Sequence, residues 1–206
     1  MKGITGTIGA GKSLVGRILR DRKIRVIDAD VAVHHLYRDN ESLRAAIANE
    51  FGEEMLTEKG VSRSRMADLV FSDPTARKRL EALVYPALTQ YLLHANPAFV
   101  EAALFENVPE LVAELDEIWV VCAARDVRKN RLIANRGFSE DDAERRIELQ
   151  AAKEREDEWI RLFPGKNIRF IDNSGDEVHL QNAIKNILLK NEFALANSNQ
   201  CEKKDS

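Results

Sequence analysis

Residues Gly6 to Ser13 read G-T-I-G-A-G-K-S and constrain the fold more than any other part of the chain. They match the phosphate-binding pattern G-x-x-x-x-G-K-[ST] at every fixed position. The glycines let the backbone curl so that its N–H groups point at a polyphosphate. Lys12 can then reach the β- and γ-phosphates, and the Ser13 hydroxyl can hold Mg²⁺. The motif therefore predicts that the chain binds a nucleoside triphosphate.

The residues on either side of this loop fit a strand–loop–helix unit. Apolar residues follow the loop at helical spacing, from Leu14 to Leu19, so we expect an amphipathic helix whose N-terminus meets the anion. Only residues 1–5 precede the loop, which predicts a short first strand.

Four more β-like runs follow, with helical patterns between them: 24–27, 99–105, 117–122 and 167–171. This alternation predicts a parallel sheet with crossover helices. Ligands of such sheets bind at the carboxyl ends of the strands. We therefore expect Asp28, Asp30 and Glu106, which follow two of the runs, to lie at the same edge as the phosphate loop.

Two helical stretches are longer than a crossover connection between parallel strands requires. The first, about 42–94, predicts an inserted helical subdomain, in which Asp73-Pro74 is typical of a helix start. The second, about 125–160, contains Ser139 to Asp142, which predicts a capping box that opens a long helix. The core then comprises about 1–40, 95–122 and 165–190. The polar tail, 191–206, is predicted to be disordered.

Composition narrows the choice of partners. The formal net charge is −3 and the pI is near 5.9, which gives no indication of a nucleic-acid surface. No apolar run approaches the roughly 20 residues of a membrane helix. Cys122 and Cys201 form neither a metal-ligand spacing nor a disulfide framework, which is typical of a reducing cytosol. We expect a cytoplasmic protein whose partner is a small molecule, not a nucleic acid or a membrane.

Phosphoryl transfer needs a group that takes the proton of the acceptor, and three carboxylates are candidates. Asp28 and Asp30 alternate along a predicted extended segment, so one of them should face the site, and the spacing does not choose between them. Glu106 ends a predicted apolar strand. Its carboxylate either interacts with Mg²⁺ or a substrate group, or is only a charge at a helix N-terminus. The histidines, His34 and His35 among them, form no metal set.

Basic residues cluster between positions 125 and 136. Several arginines on one segment can clamp phosphate oxygens and close over the nucleotide, excluding water. The alternative is a solvated helix face with charge pairs. The cluster favours the lid and comprises Arg125, Arg128, Lys129, Arg131 and Arg136.

Several short motifs occur in one order. They are I-T-G-T-I-G-A-G-K-S, V-I-D-A-D, Arg63 with Val70-Phe71, Leu80-Glu81, Tyr85-Pro86, L-F-E at Leu104 to Glu106, Arg131-Leu132 with Arg136, Gln150, and I-D-N-S-G at Ile171 to Gly175. From about residue 2 to about residue 190, this set resembles the dephospho-CoA kinase family. Members of that family phosphorylate the ribose 3′-hydroxyl of dephospho-CoA in the last step of coenzyme A synthesis.

The resemblance implies a parallel-sheet P-loop kinase core over 1–190, with an inserted helical substrate domain and a helical lid. It implies that Asp30 is the base and that Arg131 and Arg136 clamp from the lid. Asn173 would lie near the adenine. The implied contacts to ATP and its Mg²⁺ are Gly6, Ile8, Gly9, Ala10, Gly11, Lys12, Ser13 and Leu14, with Ser13 on the metal. The implied contacts to the acceptor are Asp30, Arg63, Tyr85 and Glu106.

The chain departs from the family pattern at three positions. Tyr85 stands before Pro86 where the family usually has histidine; a phenol can donate a hydrogen bond but carries no positive charge near neutral pH. Ala102 replaces a usual proline, and Arg128 replaces a common glutamine. None of these changes removes a phosphate-handling group, so they bear on acceptor affinity more than on the chemistry.

Two other functions fit the same motifs. One is another small-molecule kinase of this architecture, which acts on a nucleoside, a nucleotide or a sugar. The other is a protein that binds ATP without turnover. A switch GTPase would need an N-K-x-D motif, which the sequence lacks. Lys12 and Asp30 are both present, which favours an enzyme.

Overall fold

The computed structural model describes the backbone of residues 1–201 and the side chains of residues 1–190. The strands are β1 Lys2–Gly6, β2 Val26–Asp28, β3 Leu56–Thr57, β4 Gly60–Val61, β5 Phe99–Glu101, β6 Glu117–Cys122 and β7 Asn167–Asp172. The helices are α1 Lys12–Asp21, α2 Ala29–Asp39, α3 Glu41–Phe51, α4 Arg63–Ser72, α5 Pro74–Ala95, α6 Pro109–Ala113, α7 Arg125–Arg136, α8 Glu140–Glu148, α9 Glu156–Leu162 and α10 Glu177–Cys201. Short 3-10 helices cover Glu53–Met55, Phe105–Asn107 and Ala151–Glu154. The disordered tail predicted from residue 191 lies outside the residues with described side chains.

The central sheet confirms the predicted parallel α/β architecture. Its five strands have the order β2-β5-β1-β6-β7. β5 pairs in parallel with both β1 and β2, with Phe99 opposite Lys2 on one side and Val26 on the other. In β6 every residue except the last is buried, as expected of a strand covered by helices on both faces. Among the described helices, none combines the length and the apolar character that crossing a membrane requires.

The strand that contains Phe99 is shorter than predicted, which corrects the placement of Glu106. β5 ends at Glu101, and the N–H of Ala102 makes a further bond to the Ile4 carbonyl at 3.0 Å. The chain then turns so that the Phe105 side chain is fully buried while Leu104 is exposed. Glu106 therefore lies in the 3-10 helix Phe105–Asn107 and does not end a strand.

One compact unit of the chain comprises Met1–Thr5, Ile24–Ile118 and Gly165–Asn167. Its longest helix, α5, packs against α2, α3 and α4. The predicted helix start at Asp73 is confirmed, because the Asp73 carboxylate accepts from the Thr75 N–H at 2.7 Å and Pro74 occupies the first turn. One face of α5 is buried at a spacing of about four residues: Ala76, Leu80, Val84, Leu88 and Leu92. The antiparallel hairpin β3–β4 was not predicted.

The second unit comprises Gly6–Lys23, Trp119–Pro164 and the chain from Ile168 onward. In it, α7 and α8 pack through Leu132, Ala143 and Ile147, with Ile8 and Phe138 against them. The predicted cap of α8 is confirmed, since the Ser139 hydroxyl accepts from the Asp142 N–H at 3.2 Å.

The expectation of a long helix after this cap is wrong. α8 ends at Glu148, after nine residues, and the chain continues as the 3-10 helix Ala151–Glu154 and then as α9. Leu149 is largely exposed, and the Gln150 side chain is hydrogen-bonded to the Ile8 N–H. A contact distant in the sequence therefore coincides with the end of the helix.

Candidate active site

The phosphate loop runs from the end of β1 at Gly6 to the start of α1 at Lys12. Gly11 caps α1 with φ of 95°, a left-handed conformation that glycine adopts without steric cost. A Cβ at Gly11 would collide with the Asn173 side-chain amide. The loop therefore requires glycine here both for its turn and for its close approach to Asn173.

The positive end of α1 fits a phosphate anion. The first turn of α1 contains no acidic residue, so no carboxylate there opposes the attraction of the helix N-terminus for negative charge. The Lys12 ammonium donates to the loop carbonyls of Gly6 at 2.9 Å and Thr7 at 3.4 Å. Ser13, next to it, is exposed, and its hydroxyl oxygen is a donor atom suited to Mg²⁺. These residues therefore fit a nucleotide that carries Mg²⁺.

Asn173 and Arg131 hold the loop from behind. The Asn173 side chain, which is 2% exposed, donates through Nδ2 to the Ala10 carbonyl at 2.7 Å. Arg131 donates through Nη2 to the Asn173 carbonyl at 2.8 Å and through Nη1 to the Ala10 carbonyl at 3.4 Å. These bonds assign Asn173 to loop support, and the adenine contact that the family resemblance implies stays a prediction.

The basic residues of α7 do not all lie in the same environment. Arg125 pairs with Glu144 at 2.6 Å and with Glu148 at 2.7 Å, and Lys129 pairs with Glu140 at 2.9 Å. The hydrogen bonds that Arg125 donates to Glu148 and Glu144 raise the pKa of Arg125, and the bond from Arg125 lowers the pKa of Glu144. This is the charge-paired helix face that the alternative interpretation predicted.

The remaining members of the cluster have other positions. Arg131 contacts the phosphate loop, as described above. Arg136 is exposed at the last position of α7, so its side chain can turn toward a ligand. Arg128 is buried.

The structure distinguishes Asp28 from Asp30, which the spacing could not. β2 ends at Asp28, whose Oδ1 accepts from the N–H groups of Asp30 at 2.9 Å and Val31 at 3.2 Å. Asp28 is thus the N-cap of α2. The predicted alternation along an extended segment is wrong, because the helix begins at Ala29. Asp30 lies in the first turn with an exposed side chain.

A cavity of about 440 Å³ lies between α2, α4 and α5, in the first unit of the chain. It brings together three of the four predicted acceptor contacts, Asp30, Arg63 and Tyr85, and it does not include Glu106. Its other polar lining residues are His34, Tyr37 and Glu81.

Neither the spacing nor the family resemblance assigned these last three residues to the site, although a signal was present. Asp30, His34 and Tyr37 recur at intervals of four and three, which places them on one face of α2. Glu81 and Tyr85 are likewise one turn apart on α5. The positions four or seven residues away from a predicted site residue on the same helix include all three of them.

The two phenols of the cavity are neutral hydrogen-bonding groups. Burial, and then the charge of Glu81 and a hydrogen bond with it, raises the pKa of Tyr85 to about 12. Burial, and then Tyr85, raises the pKa of Tyr37 to about 12, and the nearby Arg63 cation opposes this. The cavity therefore offers two phenols, one guanidinium and two carboxylates to a polar ligand.

Comparisons with known proteins place these features in a family. The family model of dephospho-CoA kinase matches residues 1–162. A dephospho-CoA kinase of Symbiobacterium thermophilum is 38% identical over 184 residues, which are 84% of this chain and 73% of that protein.

Two solved structures share the fold. TT1252 from Thermus thermophilus is 28% identical, with a TM-score of 0.65 over 92% of this chain and 96% of the other. The dephospho-CoA kinase from Campylobacter jejuni is 21% identical, with a TM-score of 0.62 over 92% of this chain and 97% of the other. The match over most of the chain, together with the intact phosphate loop, confirms the family suggested by the motifs: this chain belongs to the dephospho-CoA kinase family.

Proposed function

We propose that this protein transfers the γ-phosphoryl group of ATP to the ribose 3′-hydroxyl of dephospho-CoA, giving coenzyme A and ADP. The observation that carries the proposal is the cavity that gathers Asp30, Arg63 and Tyr85 in a chain of this family. The phosphate loop supplies the nucleotide half of the reaction.

On the nucleotide side, the N–H groups of the loop and the Lys12 ammonium hold the phosphates of ATP. Arg131 supports the loop, and Arg136 turns inward from the end of α7 to neutralise charge on the transferring group. Mg²⁺ would be held by the Ser13 hydroxyl and the phosphates, and it would neutralise negative charge there. Contact between Asn173 and the adenine is also part of the proposal.

On the acceptor side, Asp30 accepts the proton of the 3′-hydroxyl as the bond from that oxygen to phosphorus forms and the bond to ADP breaks. Arg63 binds an anionic group of dephospho-CoA, and the neutral phenol of Tyr85 donates a hydrogen bond. We assign the helices within 42–94 to substrate binding and those within 125–160 to a lid that excludes water.

The test is the release of ADP by the purified protein with ATP and Mg²⁺. Dephospho-CoA, adenosine, AMP and shikimate are supplied as acceptors in parallel reactions. We expect ADP only with dephospho-CoA, and we expect none from a Lys12→Ala variant, which lacks the cation of the loop.

Each other outcome contradicts a defined part of the proposal. Turnover with adenosine or AMP alone would keep the phosphoryl transfer and replace the acceptor. Nucleotide binding without turnover on any acceptor would mean a binding protein and not a kinase. Full turnover by Lys12→Ala would remove the loop from the reaction.

A further inference from the structure

Arg128 of α7 has a guanidinium that the proposed reaction does not use. Its side chain is 2% exposed, and Nη2 donates to the Glu154 carboxylate. Its Nε and Nη1 are buried without a hydrogen-bond partner among the described residues. Burying a cation whose donors are only partly satisfied costs free energy. A buried methionine of similar volume would avoid this cost, so stability alone does not explain an arginine here.

The backbone of Arg128 supports the phosphate loop at Gly9. Gly9 has φ of 76°, and a Cβ built on it would lie 2.9 Å from the Arg128 carbonyl oxygen and 3.1 Å from the Arg128 Cβ. Such a close approach of two backbones excludes any side chain at Gly9. The position of α7 at Arg128 therefore limits where this part of the loop can lie.

The segment that contains Glu154 is joined to the same part of the loop through Gln150. Glu154 ends the 3-10 helix Ala151–Glu154, which follows directly after Gln150. The side-chain oxygen of Gln150 accepts from the Ile8 N–H at 2.7 Å. This 3-10 helix is itself anchored, because the buried Trp159 donates through Nε1 to the Lys153 carbonyl at 2.8 Å.

We propose that Arg128 is a positioning residue for the phosphate loop and acts through its ion pair with Glu154. The pair fixes α7 to the 3-10 helix Ala151–Glu154, and between them these elements hold Ile8 and Gly9 in the conformation that binds a triphosphate. Arg128 itself does not touch the nucleotide. The inference rests on the proposed function only in taking the loop as the nucleotide site, and it is independent of the acceptor.

Breaking the pair would leave the loop in its binding conformation for only part of the time. The apparent dissociation constant of a nucleotide then rises in inverse proportion to that fraction. The acceptor cavity contains neither Arg128 nor Glu154, so its affinity for dephospho-CoA should not change.

The test is calorimetric titration of the full-length protein with ADP, together with the KM values for ATP and dephospho-CoA. For Arg128→Met we expect binding of ADP weakened about tenfold and a KM for ATP raised by a similar factor, with the KM for dephospho-CoA within about twofold of the wild type. Glu154→Met should weaken ADP binding to a similar extent, because methionine offers Arg128 no acceptor oxygen. Arg128→Gln should recover part of the affinity, because its amide can still donate to Glu154.

Arg155→Met is the matched control. Arg155 pairs with Asp157 at 2.6 Å on the same segment, but both of these side chains are exposed. This variant should bind ADP as the wild type does.

Four results would overturn the proposal. The first is wild-type binding of ADP by Arg128→Met or by Glu154→Met. The second is a loss in Arg155→Met as large as in Arg128→Met. The third is an equal rise of both KM values, which indicates a general structural role. The fourth is a failure of all the Arg128 and Glu154 variants to fold, which indicates the same. ADP titration needs no acceptor, so a wild type that fails to use dephospho-CoA would leave this test standing.

Discussion

Two aspartates that are two residues apart have different surroundings in this structure. The carboxylate of Asp28 is occupied by the N–H groups that begin α2, whereas Asp30 lines the cavity with an exposed side chain. The V-I-D-A-D motif predicted both residues as candidates, and the family resemblance selected Asp30. Spacing could not select it, because the choice depends on the residue at which the helix begins.

This division predicts different effects for the same chemical change. Asp30→Asn should lower turnover about 10²- to 10⁴-fold, because the amide cannot accept the proton, and should leave binding of ADP unchanged. Steady-state rates and an ADP titration check both parts.

Asp28→Asn is the matched control, because asparagine caps a helix about as well as aspartate. It should retain most of the turnover. Turnover preserved in Asp30→Asn, or an equal loss in both variants, would remove Asp30 from the role of base.

The raised pKa of Tyr37 predicts that the stability of the protein falls at alkaline pH. This side chain has a pKa of about 12 in the folded protein, above the value of about 10 for a free tyrosine, so its contribution to stability is complete below about pH 10 and is lost as the pH rises through 12. Between these values the free energy of unfolding should fall by about 2 kcal/mol more in the wild type than in Tyr37→Phe. Urea denaturation at a series of pH values measures the difference, and parallel curves would contradict the raised pKa.

At the scale of elements, the phosphate loop depends on the segments packed behind it. Gly11 lies against Asn173, which follows β7, and Ala10 accepts hydrogen bonds from both Asn173 and Arg131 of α7. The loop motif could be predicted from the sequence, because a short pattern determines it. These supports could not, since they join positions more than 100 residues apart.

Gly11→Ala should therefore weaken nucleotide binding through a clash as well as through strain. A left-handed conformation costs alanine about 1–2 kcal/mol, and here Asn173 must also move. We expect binding of ADP at least about tenfold weaker by calorimetric titration.

Gly165→Ala separates the two effects. Gly165 has φ of 76°, and no atom lies within 4 Å of a Cβ built there. Alanine at this position would therefore have the backbone strain of a left-handed conformation but no steric clash. This variant should lose stability and keep its affinity for ADP. Equal binding of ADP by Gly11→Ala and Gly165→Ala would contradict the account of the loop.

The local signals for elements succeeded where neighbouring residues determine the structure. The caps at Asp73 and Ser139 are examples, because each depends on residues within three positions. The end of β5 and the length of α8 were predicted wrongly. In both cases a contact distant in sequence accompanies the departure from the local pattern: the burial of Phe105 beside Gly3, and the bond from Ile8 to Gln150.

For the whole molecule, alternating strand and helix patterns predicted a parallel sheet, and the sheet is of that kind. The order β2-β5-β1-β6-β7 was not predicted, because it depends on pairing between segments far apart in the chain. The cavity proposed to bind the acceptor also depends on contacts between distant segments. Asp30 on α2 and Tyr85 on α5 line one cavity only because these two helices pack together.

We conclude that this chain makes coenzyme A from dephospho-CoA and ATP. The most direct measurement is mass spectrometry and ³¹P NMR of the product, together with the ADP formed. We expect one molecule of coenzyme A for each ADP, with the new phosphate a monoester on the ribose 3′-oxygen. A phosphate at another position, or ADP formed with inorganic phosphate in place of coenzyme A, would contradict it.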